Sequence, residues 1–298
     1  MTFSGVYVPL ITPFDATGAV ALDALDALTH QVLAAGAAGV VALGTTGEPA
    51  SLNVRERQAV VDAVARVCRE RNAPLIVGAN AVEAVEALPR RAEVVAALSV
   101  VPPFLRPGEA GVLAHFASLA AASPVPLVVY HVPYRTGQHL GTDAIRRLAE
   151  LPGVAGIKYS VGAIDGGTVE LLAEPPPDFA VLGGDDTLIS ALLALGAHGG
   201  ILASAHLGTA AFVELAEAWR AGDTARARWL GHRLAALSTA LFAEPNPTVI
   251  KAVLHAQGRI PTPSVRLPLV RPGPEAVRAA ARLAQDDGWR TLSLQGLA

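Results

Sequence analysis

The sequence of 298 residues contains a single cysteine and few aromatic residues, which make up only 5% of the chain. One cysteine, Cys68, excludes an intramolecular disulfide. It lies in the helical pattern VVDAVARVCRE, which predicts a packed helix residue, because a catalytic thiol needs a partnered, electropositive site that we do not find in the sequence. This use of cysteine favours a cytoplasmic location.

The chain also lacks an excess of positive charge. The formal net charge is −3 at pH 7 and no run of Lys or Arg occurs, which argues against nucleic acid and anionic membranes as partners. The longest apolar runs, such as residues 187–204, are interrupted by glycine and histidine and do not predict a membrane span. The segment MTFSGVYVPLITPF lacks a positive region and contains two prolines, so it does not resemble a signal peptide.

Lysine is nearly absent, with only Lys158 and Lys251 among 23 basic side chains. Lys158 stands in VAGIKYSVG, an apolar strand pattern, although a charged ammonium is costly to bury. A lysine at this place could also extend past the end of the strand and pair with a surface carboxylate. Lys251 lies in the helical pattern PTVIKAVLHAQG, for which we expect a solvated side chain.

The order of the apolar patterns indicates the fold class. Eight short runs are apolar throughout, which is typical of strands buried on both faces of a parallel sheet. The strands are expected at residues 5–14, 39–44, 74–79, 97–104, 126–133, 154–160, 179–186 and 199–204. The helices are expected at residues 22–33, 53–70, 82–96, 108–122, 142–150, 165–173, 187–195 and 208–220.

Eight strand–helix units predict an α/β protein with a (β/α)8 TIM barrel over residues 1–222. A doubly wound sheet is disfavoured because no G-x-G-x-x-G follows the first strand. Residues 223–298 are expected to form a C-terminal helical appendage packed on the barrel. Its helices are expected at 223–242, 246–257 and 274–286.

In such a barrel, functional residues gather at the C-terminal ends of the strands. Burial lowers the pKa of an amine, and a neutral Lys158 could attack a ketone to form a Schiff base. Tyr130 and Thr45, at two other strand ends, are candidates for the proton shuttle. The Thr45–Thr46–Gly47 turn offers donors for the carboxylate of a keto acid, and Arg135 could clamp a second carboxylate.

These residue types also allow structural roles. Thr45 and Thr46 could cap the turn that follows them, and Tyr130 could be a core residue with its hydroxyl bonded to the backbone. Arg135 could form a surface ion pair.

A metal site is not predicted. Asp185 and Asp186 could form a metal pair, but we expect them to cap a helix that starts at Thr187. The eight histidines show neither H-x-x-x-H nor H-E-x-x-H spacing.

Several motifs occur together in a characteristic order: VYVPLITPF, GTTGE, Y-x-V-P-x-R-T-G, GIK, GDD, FAEPNPTVIKAVL and RLPLV. As a set they resemble the dihydrodipicolinate synthase/N-acetylneuraminate lyase family of pyruvate-dependent aldolases. The resemblance implies a (β/α)8 barrel with C-terminal helices, assembled as a homo-oligomer, a dimer or a tetramer. It implies that pyruvate or another 2-oxo acid forms a Schiff base with the protein, so that no separate cofactor is needed.

The resemblance also implies roles for seven residues. Lys158 matches the Schiff-base lysine, and Tyr130 and Thr45 match the proton relay. The substrate-binding positions are Thr46 for the pyruvate carboxylate, Arg135 for the second substrate, and the pocket-lining backbone at Gly184 and Ile201. Arg135 is typical of the synthase branch of the family, in which the aldehyde is L-aspartate semialdehyde.

The sequence departs from that branch at several positions. Phe104 replaces a tyrosine that completes the relay of a neighbouring subunit, so one relay hydroxyl is missing. His131 and Tyr134 also replace the usual residues, and either could supply the missing proton transfer. The helix before the fourth strand is short and contains Pro89.

The sequence therefore leaves three main candidate functions. The leading one is a Schiff-base lyase that condenses pyruvate with an aldehyde, L-aspartate semialdehyde being favoured. The second is a 2-keto-3-deoxy sugar acid aldolase or dehydratase of the same family, which would not depend on Arg135. The third, favoured by Phe104, is a catalytically weak relative that binds a 2-oxo acid. Glycines at 183–184 and 199–200 also suggest a phosphate-binding barrel, which has the least support.

Overall fold

The computed structural model of the protein describes residues 3–285. Eight parallel strands form a closed barrel and follow one another in chain order. They are β1 (Gly5–Pro9), β2 (Gly39–Ala42), β3 (Leu75–Gly78), β4 (Val94–Val100), β5 (Leu127–His131), β6 (Val154–Tyr159), β7 (Ala180–Gly183) and β8 (Gly199–Ile201). The predicted TIM barrel is confirmed.

Helices follow the strands and cover the outside of the barrel. They are α1 (Leu22–Ala34), α2 (Val54–Arg71), α3 (Val82–Glu86), α4 (Gly108–Ala122), α5 (Pro133–Thr136), α6 (Thr142–Ala149), α7 (Gly166–Ala173), α8 (Ile189–Ala194) and α9 (Ala205–Ala221). Cys68 is fully buried on α2, as expected for a packed helix residue.

Three further helices follow the barrel: α10 (Thr224–Leu241), α11 (Thr248–Ala256) and α12 (Pro274–Gln285). The helix α10 packs against both α9 and α12. The division into a barrel and an appendage stays a prediction, and residues 286–298 of the predicted appendage lie outside the described residues. Within residues 3–285, none of the helices combines the length and the apolarity that crossing a membrane requires.

The connection before β4 differs from the prediction. The helix expected at 82–96 ends at Glu86, and β4 begins at Val94. Pro89 lacks a backbone N–H and therefore disfavours continuation of the helix. The apolar residues after it suit either a helix or a buried strand, and the sequence pattern alone does not separate the two.

Side chains alternate in direction along β5 and β6, so neighbouring residues lie either inside the barrel or in the outer layer beneath the helices. Tyr130 and Lys158 are register partners and point into the barrel, where Tyr130 packs in the inner apolar cluster with Ile201. The next pair, His131 and Tyr159, points outward toward the helices, and Tyr159 belongs to the outer apolar layer.

Candidate active site

Lys158 is the next-to-last residue of β6 and lies near the C-terminal mouth of the barrel. Its side chain is buried, with the residue only 8% exposed, and its Nζ lies 4.3 Å from the centroid of the Tyr130 ring. A Cβ atom at Gly184 would stand 2.6 Å from Lys158 Cε, so the glycine lets the backbone after β7 pack on the lysine. Lys158 is therefore enclosed by its neighbours and does not extend to the surface.

This burial changes the proton affinity of Lys158. It lowers the pKa of the amine from 10.5 to about 8, while the charge of Asp186 opposes the shift and Arg135 adds to it. Asp186 is buried as well, and burial raises its pKa to about 6. Since only a neutral amine attacks a carbonyl, a pKa near 8 provides a useful fraction of nucleophile at neutral pH.

Tyr130 stands directly beside the amine. It is 7% exposed, and burial raises the pKa of its phenol to about 12. The hydroxyl therefore keeps its proton at neutral pH and can both donate and accept a hydrogen bond. A protonated phenol next to a neutral amine is an arrangement that can pass protons during carbonyl chemistry.

The turn after β2 places two threonines in different environments. Residues Thr45–Gly47 form a single 3-10 turn, in which Thr45 is exposed and Thr46 is buried. The Thr46 hydroxyl accepts a hydrogen bond of 2.9 Å from Asn246 Nδ2. Within residues 3–285, the backbone N–H groups of Thr45 and Thr46 bond to no backbone carbonyl, so they remain available to a carboxylate.

A cavity of about 280 Å³ opens at this end of the barrel. Three residues predicted from the sequence line it: Thr45, Tyr130 and Arg135. Its apolar wall includes Leu43, Leu98, Val100, Pro268 and the residues that flank this proline, Leu267 and Leu269. The cavity therefore combines hydroxyls and a cation with a largely apolar wall.

The other four predicted site residues are not part of the cavity lining. Lys158 adjoins the lining through the Tyr130 ring, and Thr46 is the neighbour of Thr45. Gly184 packs against Lys158. Ile201, the last residue of β8, is fully buried in the inner cluster.

Sequence analysis missed the contribution of the C-terminal segment. Asn246, Arg266 and residues 267–269 line the cavity. Their motifs, FAEPNPTVIKAVL and RLPLV, contributed to the family resemblance but carried no assigned role. These residues lie in irregular segments, where hydrophobic periodicity gives no indication of what a side chain contacts.

Arg135 lies on α5 and is exposed to the cavity. Its Cζ is 6.0 Å from the centroid of the Tyr134 ring. No carboxylate between residues 3 and 285 forms an ion pair with Arg135, so the alternative of a surface ion pair is not what the structure shows. The guanidinium is available for an anionic ligand.

The two aspartates after β7 do not cap a helix, and that prediction is wrong. Asp185 Oδ2 accepts the backbone N–H of Gly162 at 2.7 Å, and its Oδ1 lies 3.3 Å from the Tyr134 hydroxyl. Asp186 Oδ2 accepts the N–H of Ser204 at 2.6 Å. Their partners lie in other segments of the chain, which sequence spacing does not reveal.

The prediction for Lys251 is also wrong. A solvated helix lysine is expected there, but the side chain is fully buried. Its Nζ donates to Glu48 Oε1 and to the Thr12 carbonyl, both at 2.8 Å. Burial lowers its pKa to about 8, and Glu48 opposes this shift. The apolar neighbours in TVIKAVLHA were therefore the better indicator of its environment.

Two residues that depart from the family pattern also have defined environments. His131 points away from Lys158, with its ring 5.7 Å from that of His139 and 6.0 Å from that of Tyr159. Phe104 is 89% exposed in the loop after β4. His131 is thus placed where it cannot relay protons to Tyr130, whereas Tyr134 is exposed on α5 beside Arg135.

A comparison with protein families identifies one match over nearly the whole chain. The model of the dihydrodipicolinate synthetase family matches residues 2–285. A 4-hydroxy-tetrahydrodipicolinate synthase of Neisseria meningitidis serogroup B is 39% identical over 286 residues, covering 93% of this chain and 97% of the relative. A second protein of that name, from Clostridium acetobutylicum, is 36% identical and covers 91% and 95%.

Solved structures agree with the sequence comparison. A dihydrodipicolinate synthase of Thermotoga maritima superposes with a TM-score of 0.90 at 30% identity, covering 97% of this chain and 99% of that one. The enzyme of Acinetobacter baumannii, solved in complex with pyruvate, gives a TM-score of 0.88 at 33% identity, covering 95% and 99%. A structure described as the first monomeric dihydrodipicolinate synthase variant gives 0.89 at 29% identity, covering 96% and 97%.

Proposed function

Because this chain belongs to the dihydrodipicolinate synthetase family, and is thus a lyase of the Schiff-base aldolase type, we propose that it condenses pyruvate with L-aspartate semialdehyde through an imine on Lys158. The observation that carries the proposal is the buried Lys158 amine, whose pKa is about 8, held against Tyr130 at the edge of a cavity that presents Arg135.

The first step forms the imine. Neutral Lys158 Nζ attacks the carbonyl carbon of pyruvate, and the resulting carbinolamine loses water. Tyr130 gives a proton to the departing hydroxyl and recovers one through the Thr45 hydroxyl. The free N–H groups of Thr45 and Thr46 bind the pyruvate carboxylate. No separate cofactor is needed, because the iminium itself accepts the electron pair.

The second step forms the carbon–carbon bond. Loss of a methyl proton converts the iminium to an enamine, whose terminal carbon attacks the aldehyde carbon, and the new alkoxide takes up a proton. The amino group of the aldehyde substrate then attacks the iminium carbon, closes a ring and releases Lys158. One water leaves for each pair of substrates. The carboxylate of the aldehyde pairs with Arg135, which supplies a bidentate donor.

Tyr134 offers a replacement for the hydroxyl that Phe104 lacks. It lies one residue from Arg135, and burial raises the pKa of its phenol, with the charge of Asp185 as a further cause. We assign it the passage of protons between Tyr130 and solvent. Tyr134→Phe is expected to lower kcat about 10²-fold, with Phe104→Tyr as a control that restores a hydroxyl elsewhere. An unchanged kcat in Tyr134→Phe contradicts this role.

Borohydride reduction in the presence of pyruvate tests the central step. We expect a pyruvyl adduct on Lys158 by peptide mass mapping, and none in Lys158→Met. An adduct on another residue, or none in the folded wild type, would sink the proposal for pyruvate. Ligand-induced stabilisation without turnover would instead favour the 2-oxo-acid-binding protein that Phe104 suggests.

The identity of the aldehyde is tested separately. In Arg135→Ala, kcat/KM for aspartate semialdehyde should fall about 10- to 100-fold, because a charge-assisted pair is lost. Cleavage of 2-keto-3-deoxy sugar acids should be poor in both proteins. Rapid cleavage of those acids, unaffected by Arg135→Ala, would instead support the sugar acid aldolase or dehydratase.

We further propose a cytoplasmic homo-oligomer, a dimer or a tetramer. Phe104 and Leu105, which are 89% and 80% exposed, place two large apolar side chains together on the surface. Such a patch favours association. Sedimentation equilibrium should give a multiple of the 30.6 kDa chain mass, whereas a single species of that mass at micromolar concentration would contradict the assembly.

A further inference from the structure

Lys251 is the only lysine besides Lys158, and its ammonium is paired with a carboxylate. Its ammonium donates to Glu48 Oε1 and to the Thr12 carbonyl, each at 2.8 Å, and stands 4.1 Å from the centroid of the Phe14 ring. Because Lys251 is not part of the cavity lining and its donors are occupied, it is not a second nucleophile.

Glu48, the partner of Lys251, is itself buried and 6% exposed. Its second oxygen, Oε2, accepts the backbone N–H of Arg266 at 2.9 Å. The Arg266 guanidinium in turn bonds to both oxygens of Glu56, at 2.6 and 2.8 Å. Two separate C-terminal segments thus donate hydrogen bonds to the same carboxylate.

The backbone of Glu48 closes the turn that carries the threonines. It has a left-handed conformation, with φ of 54°, between two 3-10 turns. Its N–H donates to the Thr45 carbonyl at 3.3 Å. A non-glycine residue in this conformation is uncommon and needs surrounding contacts to hold it, and the pair with Lys251 is such a contact.

Two further residues of the turn, Thr46 and Gly47, are also anchored. The Thr46 hydroxyl is bound by Asn246, which lies just before α11, the helix of Lys251. The Gly47 carbonyl accepts the Thr12 hydroxyl at 2.7 Å, and the Thr12 carbonyl is an acceptor of Lys251. Thr45 keeps a side chain without a hydrogen-bond partner among residues 3–285, and it lines the cavity together with Glu48.

We propose that Lys251 is a positioning residue, which acts through Glu48 to hold the Thr45–Thr46 turn in the geometry that binds the pyruvate carboxylate. The inference rests on the proposed function, because it assigns pyruvate to that turn. The C-terminal helices then contribute directly to catalysis by fixing a loop of the barrel. An error of about 1 Å in such a loop is enough to cost about 10²-fold in rate.

The kinetic test uses Lys251→Met, which keeps the length of the side chain and removes its charge. The KM for pyruvate should rise at least tenfold, while the KM for the aldehyde, measured at saturating pyruvate, stays within twofold. A merely structural role would lower the folded fraction and kcat, and leave both KM values unchanged.

Arg259→Met is the matched control. Arg259 ties the same C-terminal region to the barrel through Gln31 and the His206 carbonyl, at 2.8 and 2.7 Å, but has no contact with the turn. It should leave the KM for pyruvate within twofold of the wild type. If Lys251→Met fails to fold, Glu48→Gln replaces it, since Lys251 and Arg266 donate to different carboxylate oxygens and glutamine keeps only one acceptor oxygen.

Amide hydrogen exchange gives a readout that does not require activity. The N–H groups of Gly47 and Glu48 should exchange at least tenfold faster in Lys251→Met than in the wild type or in Arg259→Met. If Lys251→Met exchanges faster but the wild type forms no pyruvate adduct, then Lys251 does hold the turn and the proposed function is wrong. Unchanged exchange, or an unchanged KM for pyruvate in a wild type that does form the adduct, overturns the proposal.

Discussion

Two lysines stand among the 23 basic residues of this protein, and both are buried beside the same cavity region. Their surroundings differ in kind. Lys158 faces an aromatic ring and a glycine, with carboxylates only at longer range, whereas Lys251 is paired directly with Glu48. The first environment leaves an amine free to react, and the second fixes a charge in place.

The lowered pKa of Lys158 predicts how imine formation depends on pH. Burial disfavours the ammonium, so the neutral amine dominates above about pH 8 instead of above its ordinary value of 10.5. The rate of borohydride-trapped adduct formation should rise about tenfold per pH unit below pH 8 and level off above it. A midpoint near 10 would show that the amine is not desolvated during the reaction.

Gly184 predicts a steric test of the same site. A methyl group there would stand 2.6 Å from Lys158 Cε and 2.8 Å from its Cγ, and closer still to the Ser160 hydroxyl, so Gly184→Ala must displace both side chains. Adduct formation should fall more than tenfold, with a loss of stability of about 1 to 3 kcal/mol. Gly166→Ala is the control, because nothing lies within 4 Å of a Cβ at that position. Equal rates in the two variants would contradict the close packing.

At the scale of the elements, strand alternation separates the predicted site residues from residues of the outer layer. β5 presents Tyr130 to the interior and His131 to the helices, and β6 does the same with Lys158 and Tyr159. His131 is completely buried, and neither ring nitrogen has a hydrogen-bond partner among residues 3–285. The imidazole therefore behaves as an apolar ring in the outer layer.

His131 predicts a loss of stability in acid. Burial lowers its pKa to about 4, below the ordinary value of about 6.5. The unfolded chain therefore binds this proton first, and the free energy of unfolding falls as the pH drops from 6.5 toward 4, by about 1.4 kcal/mol per pH unit from this group. His131→Phe should remove the contribution of this group to the pH dependence and should leave adduct formation on Lys158 intact.

Urea unfolding at pH 7 and pH 5 measures this effect. The difference in unfolding free energy between the two pH values should be smaller in His131→Phe than in the wild type. His206, whose pKa burial also lowers to about 4, leaves part of the acid sensitivity in place. Equal pH dependence in both proteins, or loss of the adduct in His131→Phe, would contradict the outward placement of His131.

At the scale of the whole molecule, the C-terminal helices complete the barrel. α10 covers α9, Lys251 and Arg266 hold Glu48, and Asn246 holds Thr46. Without these groups, the Glu48 carboxylate would lose both of its partners, and the turn would lose the contacts that hold its left-handed residue. The C-terminal segments thus anchor a turn that carries two of the predicted site residues, Thr45 and Thr46.

A truncated chain tests this dependence. A protein ending at residue 222 should not reach the native fold and should form no adduct with pyruvate. Near-ultraviolet circular dichroism and borohydride trapping provide the measurements. The control is the chain cut between residues 222 and 223 with both pieces present, which should regain part of the adduct. A stable, reactive 1–222 fragment would show that the barrel holds its turn unaided.

Much of this architecture is readable from local pattern. Continuous apolar runs predict buried parallel strands, and eight of them predict the barrel, because these signals depend on residues close together in the chain. The sequence predicts the ends of helices and strands less accurately. Residues 94–96 belong to β4 and not to the expected helix. Lys158 could be singled out because a charge in an apolar strand is costly wherever that strand lies.

Partners far apart in the chain could not be read in this way. The pair of Glu48 and Lys251 spans 203 positions, and only closure of the barrel and docking of α11 bring the two together. The same holds for Asp186 with Ser204 and for His131, whose direction depends on strand register. Local chemistry thus determines the fold and singles out the candidate lysine, whereas burial, long-range pairing and pKa arise when distant segments exclude water from one another.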